Sequence, residues 1–369
     1  MLERRRNRMV QHLKTLGIAV VGGTLFHLIG LPLAWLVGPL TAVALAVHFG
    51  VKLATWPTSL YKAGLLLLGY ALGANFVPDL FQALLLHLPA MFISTLTLVF
   101  FCVLIALGLS KLTGEELASL MIGSMPGGLS QMLVLGDELE TDLNIVTLMQ
   151  VIRILCVVFL MPWLAIGLAQ HTSSALSLDV AETVHRAGAE NGYMLVLFLL
   201  VSWCSGWLAA KVKLPTPYLV GPIISTIVLI TCGLTAPSLP SPLFMLSQVL
   251  LGARLGLQVD IKRIMSLKRV ALFAFLSTLC LIVISFGLAF LIQNIYQVSL
   301  LSAFLGTAPG GMVEMAITAS EVKADVLLVT GYQMFRIFFL LLIVPPVIKW
   351  SFKHWTKGKS SSVNQEQAM

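Results

Sequence analysis

The chain has 369 residues, 58% of them hydrophobic and 11% charged, with a mean hydropathy of +0.96 and a formal net charge of +7. Soluble chains carry about 25% charged residues, so this composition excludes an ordinary soluble globular protein. The positive excess gathers at the two ends, in Arg4-Arg5-Arg6, Arg8 and Lys14 and in Lys349, Lys353, Lys357 and Lys359, a pattern of cytoplasmic anchoring and not of a nucleic-acid-reading face.

Apolar runs predict six elements near residues 16–33, 35–50, 59–77, 84–109, 115–136 and 143–169. A polar stretch follows at 170–191, with Asp179, Glu182, Arg186 and Glu190. Six more elements are predicted near 192–210, 217–235, 242–259, 269–293, 298–320 and 325–348, and the Ser/Gln-rich tail after Lys357 reads as disordered. Spans of roughly 20 apolar residues joined by short loops predict an all-α polytopic membrane protein, and the alternating strands of an outer-membrane barrel are missing. No cleavable signal peptide is expected, because the basic start leads into the first run without a small-residue cleavage site. The predicted division is a first membrane repeat over 1–169, a linker over 170–191, a second membrane repeat over 192–350 and a cytoplasmic tail over 351–369.

The two halves carry the same marks at one fixed distance. Pro126-Gly127-Gly128 returns 183 positions on as Pro309-Gly310-Gly311. That offset also superposes Pro32 on Pro215, Val37-Gly38-Pro39 on Val220-Gly221-Pro222, Gly69 on Gly252, Gly73 on Gly256 and Pro162 on Pro345. Among polar residues it pairs Asp142 with Asp325, Gln150 with Gln333 and Arg153 with Arg336. The chain is a tandem duplication that keeps helix breakers and intramembrane polar groups, the residues lipid makes most costly.

One element of each half is interrupted. Proline lacks a donor and paired glycines let the chain reverse, so the Pro-Gly-Gly elements are either re-entrant hairpins or discontinuous spanning helices. Loop charges discriminate. With a cytoplasmic N-terminus and re-entrant Pro-Gly-Gly elements, Lys52, Lys111, Lys211, Lys213, Lys262, Arg263, Lys268, Arg269 and the basic C-terminus all fall inside. Asp79 and the uncharged turns at 236–242 and 293–297 then fall outside. The expected architecture is two inverted repeats, each of about five transmembrane helices plus one Pro-Gly-Gly element, in a bacterial inner membrane with both termini cytoplasmic.

Asp142, Gln150 and Arg153 fall within an arc of roughly 80° on one helix, as do Asp325, Gln333 and Arg336. An arginine at half depth costs on the order of 3 kcal/mol and must face protein or water. Glu314, whose repeat mate is Gln131, is a candidate partner. Two readings stand: the arginines hold backbone carbonyls of a broken helix as scaffolding, or they line a solute pathway where opposed helix ends meet. The candidate substrate-binding set is Pro126, Gly127, Gly128, Gln131, Asp142, Gln150, Arg153, Pro309, Gly310, Gly311, Glu314, Asp325, Gln333 and Arg336. Gly69, Gly73, Gly252 and Gly256, four apart in each pair, favour close helix contact. Arg254, whose mate is Ala71, is a site residue or reaches the interface, and Asn75 is likewise open.

Five scattered cysteines and seven histidines show no ligand spacing, so no metal, cofactor or catalytic residue is expected. No phosphate loop or nucleophile motif occurs either.

The duplicated pattern of Pro-Gly-Gly followed by Asp-x7-Gln-x2-Arg, with an early Gly-Pro in each half, resembles the AbrB family of duplicated bacterial membrane proteins over roughly residues 16–348. The resemblance implies a membrane protein labelled a regulator of gene expression, or an ammonia monooxygenase. It carries no residue roles. The plan is also similar to secondary transporters of the citrate- and glutamate-symporter type. The expected function is a secondary transporter or exporter of a small polar solute with a midplane site between the repeats, not an enzyme. The alternative is a membrane regulator or sensor influencing gene expression. A monooxygenase is disfavoured because clustered histidines and carboxylates are missing. Expected partners are the bilayer and the solute, without direct nucleic-acid binding, and a homodimer stays open.

Overall fold

The computed structural model describes residues 2–51, 53, 56–74, 86–127, 129–172, 192–212, 214, 216–340 and 343. Lys52, Asn75, Asp79, Gly128, Lys213, Pro215, most of the linker and the C-terminal tail lie outside the described residues, as do the side chains of Arg4, Arg5, Arg6, Arg8 and Gln131.

Among the described residues every regular element is a helix. The first half runs α1 (Leu2–Leu28), α2 (Ala34–His48), α3 (Thr58–Gly73), α4 (Leu88–Thr113), α5 (Leu117–Ser124), α6 (Leu129–Glu138) and α7 (Leu143–Thr172). The second runs α8 (Gly192–Lys211), α9 (Pro217–Thr231), α10 (Ser241–Gly256), α11 (Ile261–Ser266), α12 (Lys268–Tyr296), α13 (Leu300–Thr307), α14 (Met312–Glu321) and α15 (Val326–Leu340). Two expectations shift. The first helix starts at Leu2 instead of near residue 16, because Arg, Lys, Gln and Leu of the basic start are good helix formers. The short α11 was not expected; Asp260 caps it by accepting the Arg263 N–H at 3.1 Å.

Helices α4, α7, α8 and α12 are long and apolar enough to cross a membrane. Their outer faces present large apolar side chains, among them Phe92, Phe100, Trp203, Val283 and Phe290. Water does not tolerate such bands on a monomer, and hydrocarbon does. At the end of α8 the Lys211 ammonium lies 3.7 Å over the Trp207 ring, an amphipathic pair suited to the lipid–water interface.

The backbone repeats as the sequence does. Helices α2, α3, α5, α6, α9, α10, α13 and α14 begin and end at positions related by the offset of 183. Left-handed residues pair at the same distance: Leu33 with Thr216, Gly50 with Gly233, Gly114 with Gln297 and Glu140 with Lys323. Such conformations cost most non-glycine residues about 1 kcal/mol or more, so their coincidence reflects one duplicated fold.

The glycines fix how the halves join. In α3, a side chain at Gly69 would meet Leu219 and Pro222 of α9, and one at Gly73 would meet Ile223 and Thr226. The mates do the same in reverse: Gly252 of α10 meets Leu36 and Pro39 of α2, and Gly256 meets Leu40 and Val43. Each half therefore inserts its third helix against the second helix of the other, at backbone contact. In both pairs the numbers rise together, so α3 runs parallel to α9 and α10 parallel to α2. Within a half the order reverses: Gly22 and Gly23 of α1 meet Gly38 and Trp35 of α2, an antiparallel pair.

This crossed group of helices packs on a second group holding the interrupted elements. Leu36, Leu68, Leu219 and Leu251 from the first join Met312, Ala316 and Ile317 of α14 and Val158 of α7 in one buried cluster. The seam between the groups is where the polar residues lie.

Candidate functional site

Helix α5 stops at Ser124 and α6 starts at Leu129; α13 stops at Thr307 and α14 starts at Met312. The last carbonyls of α5 and α13 have no intrahelical partner and sit where water is scarce. The duplicated polar residues meet that need.

Gln150, fully buried on α7, donates through Nε2 to the carbonyls of Ile122, Gly123 and Met125 at 3.0, 3.1 and 3.0 Å. Gln333 on α15 donates to Leu305, Gly306 and Ala308 at 2.9, 3.2 and 3.2 Å. Arg153 donates to the Met125 carbonyl and, at 2.7 Å, to the Gly127 carbonyl. Arg336 donates to Ala308 and Gly310 at 2.7 Å each and to the Gln333 amide oxygen. Each of these backbone carbonyls in one half has its mate in the other; the Gln333 amide oxygen does not, since Gln150 Oε1 accepts no such bond. A guanidinium and an amide thus tie down the end of each first half-helix and the break that follows it, and the cation sits at the negative end of that half-helix.

A third pair of donors completes each cap. The Cys102 thiol points at the Ser124 carbonyl at 3.4 Å, and the Ser285 hydroxyl donates to the Thr307 carbonyl at 3.1 Å. Cys102 is buried, and this contact gives it a role beyond packing. The signal was present in the 183 offset, hidden because the pair is Cys and Ser.

Asp142 and Asp325 stand apart from the breaks. They cap the starts of α7 and α15, accepting N–H bonds from Asn144 at 2.8 Å and Leu328 at 2.9 Å. Their own N–H groups donate to Ser119 and Ser302 hydroxyls at 2.9 Å each, another duplicated contact that sequence reading missed. Eight residues of helix, about 12 Å, separate each aspartate from its glutamine.

The charged side chains of the two halves approach each other. Arg336 is close enough to feel the charge of Arg153, and Arg153 that of Glu314 from the opposite half. Glu314 is buried in the first turn of α14, where a carboxylate suits the positive helix end. Its carboxylate folds over Gly311, occupying the space of any side chain there. Pro126, Gly127, Pro309 and Gly310 form the breaks themselves; Gly128 and the Gln131 side chain lie outside the described residues.

Tyr61 of α3 adjoins this group from the crossed helices and interacts electrostatically with both Glu314 and Arg254. The Arg254 guanidinium lies 5.9 Å from the Tyr61 ring centroid. Among the described residues no cluster of three His, Cys, Asp or Glu side chains has metal-binding geometry.

Replacing Gln333 by Leu should take the side-chain donor from the Leu305 and Gly306 carbonyls, with Ala308 keeping Arg336, and cost about 2–4 kcal/mol in unfolding free energy. Chemical denaturation of the detergent-solubilised protein reads this, and a loss under about 1 kcal/mol would show that the cap is dispensable.

Long apolar helices, a duplicated backbone and two capped breaks make this an all-helical membrane protein of duplicated design. The chain belongs to the family described as transition state regulatory protein AbrB, whose model matches residues 35–352. It is 25% identical to the protein YhjN of Bacillus subtilis (strain 168), covering 98% of each chain. It is also 25% identical to AbrB of Escherichia coli (strain K12), a protein named as a regulator, covering 88% of this chain and 92% of that one.

Proposed function

We propose that the protein is a secondary transporter of a small polar solute, built from two inverted membrane repeats whose Pro-Gly-Gly elements re-enter and meet at a midplane site. It works without cofactor, metal or catalysis, in an inner membrane with both termini cytoplasmic. The observation that carries the reading is the pair of capped breaks, one in each half, with Arg336 and Glu314 both within electrostatic reach of Arg153. Maintaining broken helices in lipid is costly, and proteins keep them where a cavity or binding site needs backbone polarity.

Inversion draws support from helix directions. Helices α2 and α3 follow one another through a short connection and so run oppositely. A direct repeat would set α3 antiparallel to α9, the mate of α2, whereas an inverted repeat sets them parallel, the sense the glycine contacts give. Under this reading the duplicated glutamines and arginines hold the breaks open, and the solute contacts what the loops leave free.

The test is flux. Purified protein in liposomes should move or exchange a solute, and Arg153→Gln or Arg336→Gln should reduce the rate at least tenfold in protein that still purifies as a folded species. Full activity in both variants would remove the breaks from the pathway. Topology is tested separately in a cysteine-free background: single cysteines at Lys111 and Lys262 should label only from the cytoplasmic side, and labelling of either from outside would end the inverted arrangement.

The name of the Escherichia coli relative favours a second reading, a membrane-embedded regulator acting on gene expression through its solute or a partner. Transcript changes that persist in a flux-dead Arg336 variant would favour it.

A further inference from the structure

Four side chains gather at one end of the helices, outside the caps. His87 immediately precedes α4, Tyr296 closes α12, Asp325 immediately precedes α15 and Tyr332 lies almost two turns into α15. His87 is 4% exposed, and its Nδ1 is 3.1 Å from the Tyr332 hydroxyl. Its ring centroid lies 4.6 Å from that of Tyr296, tilted by 31°, and 5.9 Å from that of Tyr332. Asp325 is within electrostatic reach of the imidazole. Among the described residues Tyr296, Tyr332 and Asp325 are the titratable groups that face it.

The cluster has no twin. At the offset of 183 the mates of His87, Tyr296 and Tyr332 are Val270, Thr113 and Met149, and only the aspartate is repeated, as Asp142. The packing beneath it is repeated: a Cβ added at Gly306 would stand 3.2 Å from Tyr332 Cβ, and one at Gly123 would meet Met149. Tyr332 and its neighbour Gln333 thus hold the same glycine, one by packing and the other by an amide bond to its carbonyl at 3.2 Å. Gly306 is in the last turn of α13. The second break, unlike the first, has a histidine at the far end of its packing chain.

Imidazole is the side chain that changes charge near neutral pH. With the ring neutral and Nδ1 bare, the Tyr332 hydroxyl donates to it. A proton on the ring makes both nitrogens donors, so Nδ1–H donates to the phenol oxygen and the phenol proton turns away. The new charge costs solvation in a buried site, and the cost falls if the ring moves toward water. Either response disturbs Tyr332, which holds α13 beside the break. Helices α4 and α12 carry Lys111, Lys268 and Arg269 at their other ends. On the topology proposed above that end is cytoplasmic, so His87 stands on the outer side, from which protons enter a bacterial cell down their gradient.

We propose that His87 is a proton-binding site facing the outer side, and that its protonation loosens the second break through Tyr332. The ligand is the proton itself; on the transport reading, on which this role rests, His87 is where the coupling proton loads.

Hydrogen exchange of the purified full chain in detergent tests it, with rates corrected for the pH dependence of chemical exchange. Amides of 300–310 should exchange at least about threefold faster at about pH 5 than at about pH 8. Residues 117–127, the same segment of the first half, are the internal control and should show no such change. His87→Gln should abolish the response at 300–310, and so should Tyr332→Phe, which keeps a ring against Gly306. A wild type with no response, or with equal responses in the two segments, overturns the proposal without any variant. A full response in His87→Gln overturns it too, and one that survives in Tyr332→Phe overturns the route through the hydroxyl. Arg336-dependent liposome flux with the same pH profile in wild type and His87→Gln would leave transport standing and overturn the coupling role. No Arg336-dependent flux at any pH, with the exchange response intact, would sink transport and leave the proton site.

Discussion

Arg336→Met should lower the unfolding free energy by about 3–5 kcal/mol, the largest single-residue loss expected in this chain. The side chain is 2% exposed and its two terminal nitrogens reach Ala308 and Gly310 at 2.7 Å. Methionine fills much of the volume but takes the guanidinium away from the Gly310 carbonyl and the Gln333 amide oxygen in a dry seam, at about 1–3 kcal/mol each, while the Ala308 carbonyl keeps its bond from Gln333. The charge opposite the half-helix end is lost as well. Arg336→Lys should recover only part, since one ammonium on a flexible stem cannot hold two carbonyls in the fixed geometry of a fork. Arg153→Met should behave alike, because Gly127 accepts from it at the same 2.7 Å. Guanidine or urea titration in detergent reads these differences. If Arg336→Met unfolds within about 1 kcal/mol of wild type, the cap contributes little and the breaks are held by packing.

Gly69→Val and Gly252→Val should each destabilise by about 2–3 kcal/mol, and together by about 4–6 kcal/mol, because overpacking at separated sites adds. A Cβ at Gly69 would stand 2.5 Å from the Leu219 carbonyl oxygen and 3.1 Å from Pro222 Cβ. At Gly252 the same obstacles are Leu36 and Pro39. In both cases the neighbour is backbone or a rigid ring, which cannot swing aside as a flexible side chain would. Gly167→Val, whose added atoms meet open space, is the control and should change little beyond helix propensity. Equal melting points for the Gly69 variant and the control would mean that the crossed helices are not locked at that contact.

Much of the fold was legible because lipid simplifies the rules. Apolar length marks spans, and breakers mark interruptions, as at Pro126-Gly127 and Pro309-Gly310, where helices stop within two residues of the proline. Glycines four apart announced close contact, yet nothing local said that Gly69 would meet the other half. The aspartates illustrate the opposite limit. Helical spacing put Asp142 on one face with Gln150 and Arg153, but a shared face does not mean a shared partner, and Asp142 turned out to cap its own helix. Ser119, Ser302 and the Cys102–Ser285 pair escaped notice because small hydroxyls and thiols are ordinary in apolar helices and gain meaning only from what they touch.

By itself the sequence determined the solvent, the duplication, the places where helices break and the polar residues that lipid would not permit without a partner. These are local properties, fixed by side-chain transfer cost and backbone stereochemistry. Tertiary structure alone decided the partners: carbonyls 25 to 28 residues upstream for each Gln and Arg, a swapped helix from the other half for each glycine pair, and a tyrosine ring for Arg254. Partner choice depends on how helices cross, and crossing is settled by the fit of whole surfaces that no single stretch of chain contains.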